Sequence, residues 1–382
     1  MIYLDNAATS FPKPEGVYRA LDHFARTSLA NPGRAGHAMA LAAEHALDDA
    51  RHRLNRFLSG RDPNRFIFAL NGTDALNIAI KGVLDVRDHV ITTDLEHNSV
   101  SRPLQAMANA GFIELTRLAS DGGGTVDPDA VRAAITPKTR LVAITHGSNV
   151  LGTVQPIGEI GRICREFDRL LFLVDAAQTI GVVPIDIQTQ HIDLLAFPGH
   201  KCLFGPTGTG ALYVGPKAKV RPWREGGTGG DSSSPTQPSE YPYFLEGGTP
   251  NVLGIVGMIA GLDFVEAETP AKLRAHELAL CDRLRERLLA MGGFNIVGHA
   301  DNTRRVATMS FHSEVLSATE LGGVLDQSFA IAVRPGLHCA PYIHRASGSF
   351  PDGLVRVSPG PFTTEADIDT LADALQEITG GL

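Results

Sequence analysis

Through the middle of the chain, apolar, β-branched runs alternate with longer helix-like stretches. The runs at residues 65–70, 89–92, 141–145, 170–174, 194–197 and 210–214 are strand candidates. Between them, residues 74–84, 101–110, 127–135 and 156–167 are expected to be helices. Strands and helices in this order predict βαβ units, a largely parallel sheet and right-handed crossovers. Residues 226–242 are rich in Gly, Ser and Pro and too long for a simple turn, so a functional or mobile loop is expected there. After it, 252–268 and 271–291 look like two long helices leading into a second region. That region has strand candidates at 306–311, 330–333 and 354–357 and a terminal amphipathic helix at 365–378, the pattern of a smaller α+β domain. The expected division is a large domain at 16–262, with 1–15 and 263–382 forming the small one.

Composition narrows the class. The chain has 382 residues, 43% hydrophobic and 20% charged, which is enough to bury a large core as an ordinary globular enzyme. A net charge of −8 argues against a nucleic-acid or anionic-membrane binder, whose footprint is a basic patch. The start, Met1-Ile2-Tyr3-Leu4-Asp5, has no signal-peptide pattern, and no apolar run is long enough for a membrane span. Cys164, Cys202, Cys281 and Cys339 are scattered without C-x-x-C spacing, which fits reduced thiols in the cytoplasm and no metal site.

Candidate chemistry sits just after the strand candidates, where ligands bind open α/β sheets. Asp175 ends one buried strand and Lys201 follows the next. An acid and a lysine so placed suit pyridoxal phosphate: the amine forms a Schiff base, and the carboxylate keeps the pyridine nitrogen protonated. Asn71-Gly72-Thr73-Asp74-Ala75 opens a helix and could present N–H groups and the Thr73 hydroxyl to a phosphate, or could be an ordinary cap. His97 could stack on a flat ring and relay protons, or be a satisfied surface histidine. Asn149 and Gln178 could bond a pyridoxal 3-hydroxyl or their own backbone. Cys339, within Arg334-Pro335-Gly336-Leu337-His338-Cys339-Ala340-Pro341, could be an exposed thiol activated by nearby cations or a buried structural one. Arg356 offers a planar fork for a carboxylate or for a surface ion pair. His37 opens a helix and says little alone.

Together these segments resemble the class V, fold-type I pyridoxal-phosphate enzymes, and among them the cysteine desulfurases grouped with selenocysteine lyases. The resemblance spans nearly the whole chain. It rests on Tyr3–Thr9, Asn31-Pro32-Gly33-Arg34, Gly72-Thr73, Glu96-His97, Ser148-Asn149, Asp175-Ala176-Ala177-Gln178, Gly199-His200-Lys201, Glu246–Asn251 and His338-Cys339-Ala340-Pro341. It implies an α/β fold with a mostly parallel, seven-stranded-type sheet between helices, and a homodimer with sites at the interface. It implies that Lys201 carries the cofactor, Asp175 holds the ring nitrogen and His97 covers the ring face. Asn149 and Gln178 would hold the 3-hydroxyl, and Gly72, Thr73 and His200 the phosphate, with Thr249 supplied by the partner subunit. Arg356 would clamp the substrate carboxylate, Arg334 and His37 would line the pocket, and Cys339 would form the persulfide.

The implied reaction converts L-cysteine to L-alanine, with Lys201 removing the Cα proton and Cys339 attacking the sulfur, which then passes to an acceptor protein. Selenocysteine or cystine lyase, aminotransferase and epimerase are alternatives on the same scaffold. A slow sulfur-transfer partner needing an activator is an alternative of another class, and a metal hydrolase built on His338, Cys339 and His344 lacks a recognised ligand spacing. Two departures stand out. Relatives often carry a serine where this chain has Pro198, which offers neither hydroxyl nor N–H, so weaker cofactor retention is expected. Pro359-Gly360-Pro361-Phe362 also replaces the turn that several relatives have after the arginine.

Overall fold

The computed structural model describes residues 1–33, 36–229 and 233–380. Arg34 of the Asn31–Arg34 segment and positions 230–232 of the expected loop lie outside the described residues. In chain order the first part runs β1 (Ile2–Tyr3), α1 (Glu15–Thr27), α2 (Ala38–Phe57), β2 (Phe66–Ala69), α3 (Gly72–Val83), β3 (Asp88–Thr93) and α4 (Asn98–Asn109). It continues through β4 (Ile113–Leu118), α5 (Pro128–Ala134), β5 (Thr139–Thr145), α6 (Ile157–Arg165), β6 (Leu171–Asp175), β7 (Leu194–Pro198) and β8 (Gly210–Val214). Next come α7 (Val252–Glu268), α8 (Pro270–Met291), β9 (Phe294–Val297), β10 (Met309–Ser313) and α9 (Ala318–Phe329). The chain ends with β11 (Ile331–Ala332), β12 (Arg334–Gly336), α10 (Pro341–Ala346), β13 (Leu354–Val357) and α11 (Glu365–Gly380).

The central sheet has seven strands in the order β2-β8-β7-β6-β5-β3-β4. The strands from β7 to β4 pair in parallel, and β8 lies antiparallel between β7 and β2. Every residue of β6 and β7 is buried, and successive side chains go to opposite faces. Phe172 and Val174 join the core under α2, α6 and α7, while Leu171 and Leu173 join the core under α3 and α4. Each such side chain contributes about 1.5–3 kcal/mol. A sheet covered on both faces leaves its edges and strand ends for chemistry.

The C-terminal part is a four-stranded antiparallel sheet, β12-β13-β10-β9, with its own apolar cluster. Leu280, Leu284 and Leu288 of α8, Leu321 and Leu325 of α9, and Leu371 and Leu375 of α11 fill that cluster. The N-terminus belongs to it as well. β1 pairs in parallel with β11, Leu4 is buried in the cluster, and Asp5 bridges to Ser358. Asp5 is thereby carried to the neighbourhood of Arg356.

Several boundaries differ from expectation for local reasons. The strand expected from 306 begins at Met309, because Val306 N–H turns aside to bond Gly152 O at 2.8 Å. Ala330 is not in a strand; it ends α9 in the left-handed region with φ 55°. β4 was not expected. It is the edge strand, only Ile113 in it is buried, and it carries Glu114 and Arg117. Charged, half-exposed edge strands are a protection against wrong pairing and lack the apolar run used to find strands.

The loop from Ser148 to Gly152 joins the two parts. Ser310 Oγ donates to Val150 O at 2.6 Å, and Gly152, at φ 73°, sits against the backbone of Val306 and Thr308. A Cβ there would press on Thr308 O and stand 2.9 Å from Val306 O. Gly152→Ala is therefore expected to lower stability by about 2 kcal/mol or more in urea unfolding. A neutral result would contradict the close approach.

Candidate functional site

At the carboxyl ends of the parallel strands lies a cavity of about 240 Å³. Gly72, Thr73, His97, Asn149, Asp175, Gln178, His200, Lys201, Arg334, Cys339 and Arg356 all line it. The sheet register explains the convergence. Asp175, the last residue of β6, pairs on one side with Thr145, the last of β5, and on the other with Ala196, two residues before the end of β7, so the three strand ends lie side by side.

Asp175 is buried and accepts one hydrogen bond on Oδ1, from Ala177 N–H at 2.9 Å. Burial raises its pKa, opposed by that N–H and by Lys201. Burial likewise lowers Lys201 to about 8; Asp175 pulls it back up and Arg356 pushes it further down. The peptide before the lysine is strapped by the N-terminal segment. His200 O accepts from Thr9 Oγ1 at 3.1 Å, Ser10 N–H at 3.1 Å and Lys13 Nζ at 3.0 Å.

His97 caps α4, its Nδ1 accepting from Ser99 N–H at 3.1 Å. A backbone N–H is a donor only, so the ring proton sits on Nε2. Burial, then the charges of Lys201 and Arg356, lower this histidine to about 4, so it is neutral at neutral pH. Ser99 Oγ lies 2.8 Å from His97 Nδ1 and 2.7 Å from Thr73 Oγ1, linking the ring to the first turn of α3.

That first turn presents the kind of free N–H groups that suit an anion. Asn71 caps α3 through Asp74 N–H at 2.9 Å, leaving the earlier N–H groups of Gly72 and Thr73 without intrahelical partners. His200 Nδ1 is buried without a partner on the same side. Burial, followed by the charges of Lys201 and Lys13, lowers that ring to about 4. Pro198 packs on this turn: a Cβ on Gly72 would stand 3.2 Å from Pro198 Cδ. Proline thus contributes shape here and no donor.

Arg356 is buried, on β13. Its Nη2 donates to Asp5 Oδ1 at 2.6 Å and its Nη1 to Asn149 O at 3.0 Å, while Nε is buried and unpartnered. Arg334, opposite Arg356 in the β12–β13 register, is 3.8 Å from Asp5 Oδ2. Asn149 Nδ2 donates to His338 O at 2.7 Å, and Gln178 Nε2 donates to Ala7 O at 3.0 Å. Each amide therefore spends one donor on the scaffold and leaves its oxygen available. Cys339 is exposed, whereas Cys164 and Cys281 are buried; burial pushes those two and the half-buried Cys202 up to about 12.

Two expected residues lie elsewhere. His37 caps α2, accepting from Ala40 N–H at 3.2 Å, and does not line this cavity. Thr249 lines a second cavity of about 310 Å³, between the Asn31–Gly33 segment, Arg51 and residues 227–229. Asp5, Asn98 and Ser99 were not singled out from the sequence. Asp5 had a visible sign, a charge directly after an apolar run inside a quoted motif. Ser99 had none, since its position depends on α3 and α4 meeting at their N-termini. Among the described residues, no three His, Cys, Asp or Glu side chains are grouped to hold a metal, and no helix is long and apolar enough to cross a membrane.

A lysine lowered to about 8 opposes folding while it is charged. Below that pH both the folded and unfolded chains carry the proton and the penalty is constant; stability rises between about 8 and the unfolded value of 10.5. Lys201→Met in cofactor-free protein should therefore be more stable than the parent at neutral pH by about 1–3 kcal/mol, the gap closing above the upper limit. Urea unfolding across that range measures it, and an equal or lower stability at neutral pH contradicts the assigned burial.

Comparison with known proteins identifies the family and the fold. The profile of the Aminotransferase class-V family matches residues 2–371. A probable cysteine desulfurase of Methanothermobacter thermautotrophicus is 33% identical over 99% of this chain and 95% of its own length. A cysteine desulfurase of Salmonella typhimurium is 31% identical over 99% of this chain and 93% of its own. The apo structure of the cysteine desulfurase of Thermococcus onnurineus superposes with a TM-score of 0.93 at 29% identity, over 100% of this chain and 95% of that one. The cysteine desulfurase CsdA of Escherichia coli, in an S-sulfonic acid form, gives 0.89 at 27% identity, again over 100% and 95%. The chain belongs to the class-V aminotransferase family, with the fold-type I architecture of its solved relatives.

Proposed function

We propose that this protein is a pyridoxal-phosphate-dependent cysteine desulfurase that converts L-cysteine to L-alanine and takes the sulfur onto Cys339 as a persulfide. One observation carries the reading: the exposed Cys339 thiol opens into the same cavity as Lys201 and Arg356. Transamination of the same substrate involves no attack by a thiol.

The residues suit the cofactor. Lys201 supplies the amine and Asp175 an acid for the ring nitrogen. Gly72, Thr73 and the unpartnered Nδ1 of His200 supply phosphate donors. His97, Asn149 and Gln178 border the space for the ring and its hydroxyl. Thr249, outside this cavity, would serve the matching site of a second copy in a homodimer. When bound, pyridoxal phosphate supplies the electron sink that stabilises a carbanion on the substrate.

The chain's own groups do the rest. Arg356 is held by Asp5 and Asn149, and its free Nε faces the task of clamping a carboxylate. Lys201, lowered to about 8, has a share of neutral amine near neutral pH with which to accept the Cα proton. Cys339, as thiolate, attacks the substrate sulfur; a new S–S bond forms and the C–S bond breaks. The β-carbon takes up a proton, and the products are alanine and an enzyme-bound persulfide, so atoms and electrons balance without an oxidant. Delivery of that sulfur to an acceptor protein, and residence in the cytoplasm, belong to the same proposal. So does the division into parts at 16–262 and at 1–15 with 263–382, which the separate C-terminal cluster supports, while Ala340, Ile343 and Leu354 reach into the core of the larger part.

Cys339→Ser should cut alanine formation from L-cysteine by about a hundredfold or more while leaving cofactor binding intact. Undiminished alanine and sulfide production would sink the persulfide role. Arg356→Lys keeps the charge but loses the fork. It should lower kcat/KM for L-cysteine by about thirtyfold, equivalent to about 2 kcal/mol, and a change below about threefold would remove Arg356 from the carboxylate site.

A further inference from the structure

Next to Cys339 stand two buried histidines that the proposed reaction does not use. The His338 and His344 rings lie 5.3 Å apart, tilted by 33°. Their hydrogen bonds have only one consistent direction. His338 Nε2 is 2.8 Å from Arg334 O, and a carbonyl only accepts, so Nε2 carries the proton. Burial first, then Arg356, lowers His338 to about 3, so its Nδ1 has a free lone pair. The atom facing that lone pair is His344 Nε2 at 3.3 Å, which must donate. His344 Nδ1 is then an acceptor, and Ser349 Oγ, 2.8 Å away, donates to it. The chain runs Ser349 to His344 to His338 to the backbone of Arg334.

This chain backs a turn that needs support. His338 and Cys339 have φ of 49° and 58°, two consecutive side-chain-bearing residues in the left-handed region. Such residues persist only where the surroundings over-determine them. Asn149 Nδ2 holds the His338 carbonyl and Asn98 N–H holds the Cys339 carbonyl, both at 2.7 Å. Those two contacts hold the two carbonyls of the turn. The histidines hold it through the His338 ring, which also borders the cavity. That ring also ties the turn to β12, whose Arg334 faces the same cavity.

We propose that His344 is a positioning residue: by donating to His338 Nδ1 it holds the Cys339 turn in its left-handed form and so aims the thiol into the cavity. This rests on Cys339 being the sulfur nucleophile. The test uses holoenzyme carrying His344→Leu, His344→Gln or Ser349→Ala. The readouts are alanine formation, cofactor absorbance, and the rate at which iodoacetamide labels Cys339, followed by peptide mass spectrometry.

In His344→Leu, kcat should fall by about a hundredfold, the scale of a misplacement of about 1 Å at a reacting group, with KM and cofactor loading held within about twofold. Cys339 should label faster as its turn loosens. Glutamine can still donate from nearly the same place, so His344→Gln should recover most of the loss. Ser349→Ala, which removes only the outer bond, should cost about threefold. Unchanged kcat in His344→Leu, or a glutamine variant no better than leucine, overturns the proposal. If the leucine variant does not fold, the other two decide it: wild-type kcat in Ser349→Ala together with a hundredfold loss in His344→Gln overturns it. Should Cys339→Ser show that the thiol is not the nucleophile, the labelling rate still reads the turn. No change in labelling between wild type and His344→Leu would then count against His344 itself.

Discussion

A buried carboxylate with a single backbone hydrogen bond is costly to ionise, and Asp175 is in that position. It cannot move away, because β6 is locked in register between β5 and β7. Nor can Lys201, whose preceding carbonyl is held by Thr9, Ser10 and Lys13. Burial drives acid and amine alike toward neutrality, and each partly restores the other's charge. The sheet therefore maintains a pair that a cationic ring nitrogen and a carbonyl group would both relieve. Stability is given up at this place, as is common where a fold carries chemistry.

The rest of the site follows from bringing distant segments to that pair. The N-terminal segment does two jobs within a few residues: Thr9, Ser10 and Lys13 strap the lysine peptide, and Asp5 neutralises Arg356. Leu4 and β1 anchor the same segment in the C-terminal core. Asn149 gives the converse link, from the central sheet to both Arg356 and the Cys339 turn. Arg356, Lys201 and Cys339 are thus tied to one frame through backbone carbonyls as much as through side chains.

Much of this was legible in the sequence because the inner strands are simple. β6 and β7 are apolar runs, and Asp175 ends the first while Lys201 follows the second within a few residues. β4 was missed because an edge strand bearing Glu114 and Arg117 has no such run. Expected strand ends slipped where tertiary hydrogen bonds intervened, as at Val306, which bonds Gly152. His37 was expected to line the pocket through the family resemblance, yet in the chain it caps α2. The Ser99 link between His97 and Thr73, and the His338–His344 pair, depend on side chains meeting across elements, which periodicity does not encode.

Pro198 packs against Gly72, so in the proposed reading a cofactor phosphate would be left to the start of α3 and to His200. Schiff-base formation at Lys201 can be measured directly. Purified protein carrying its cofactor is reduced with borohydride, digested, and searched by mass spectrometry for the pyridoxyl-modified peptide. The account predicts a single modified lysine, Lys201. Modification at another lysine, or none at Lys201 in protein that shows cofactor absorbance, would contradict it.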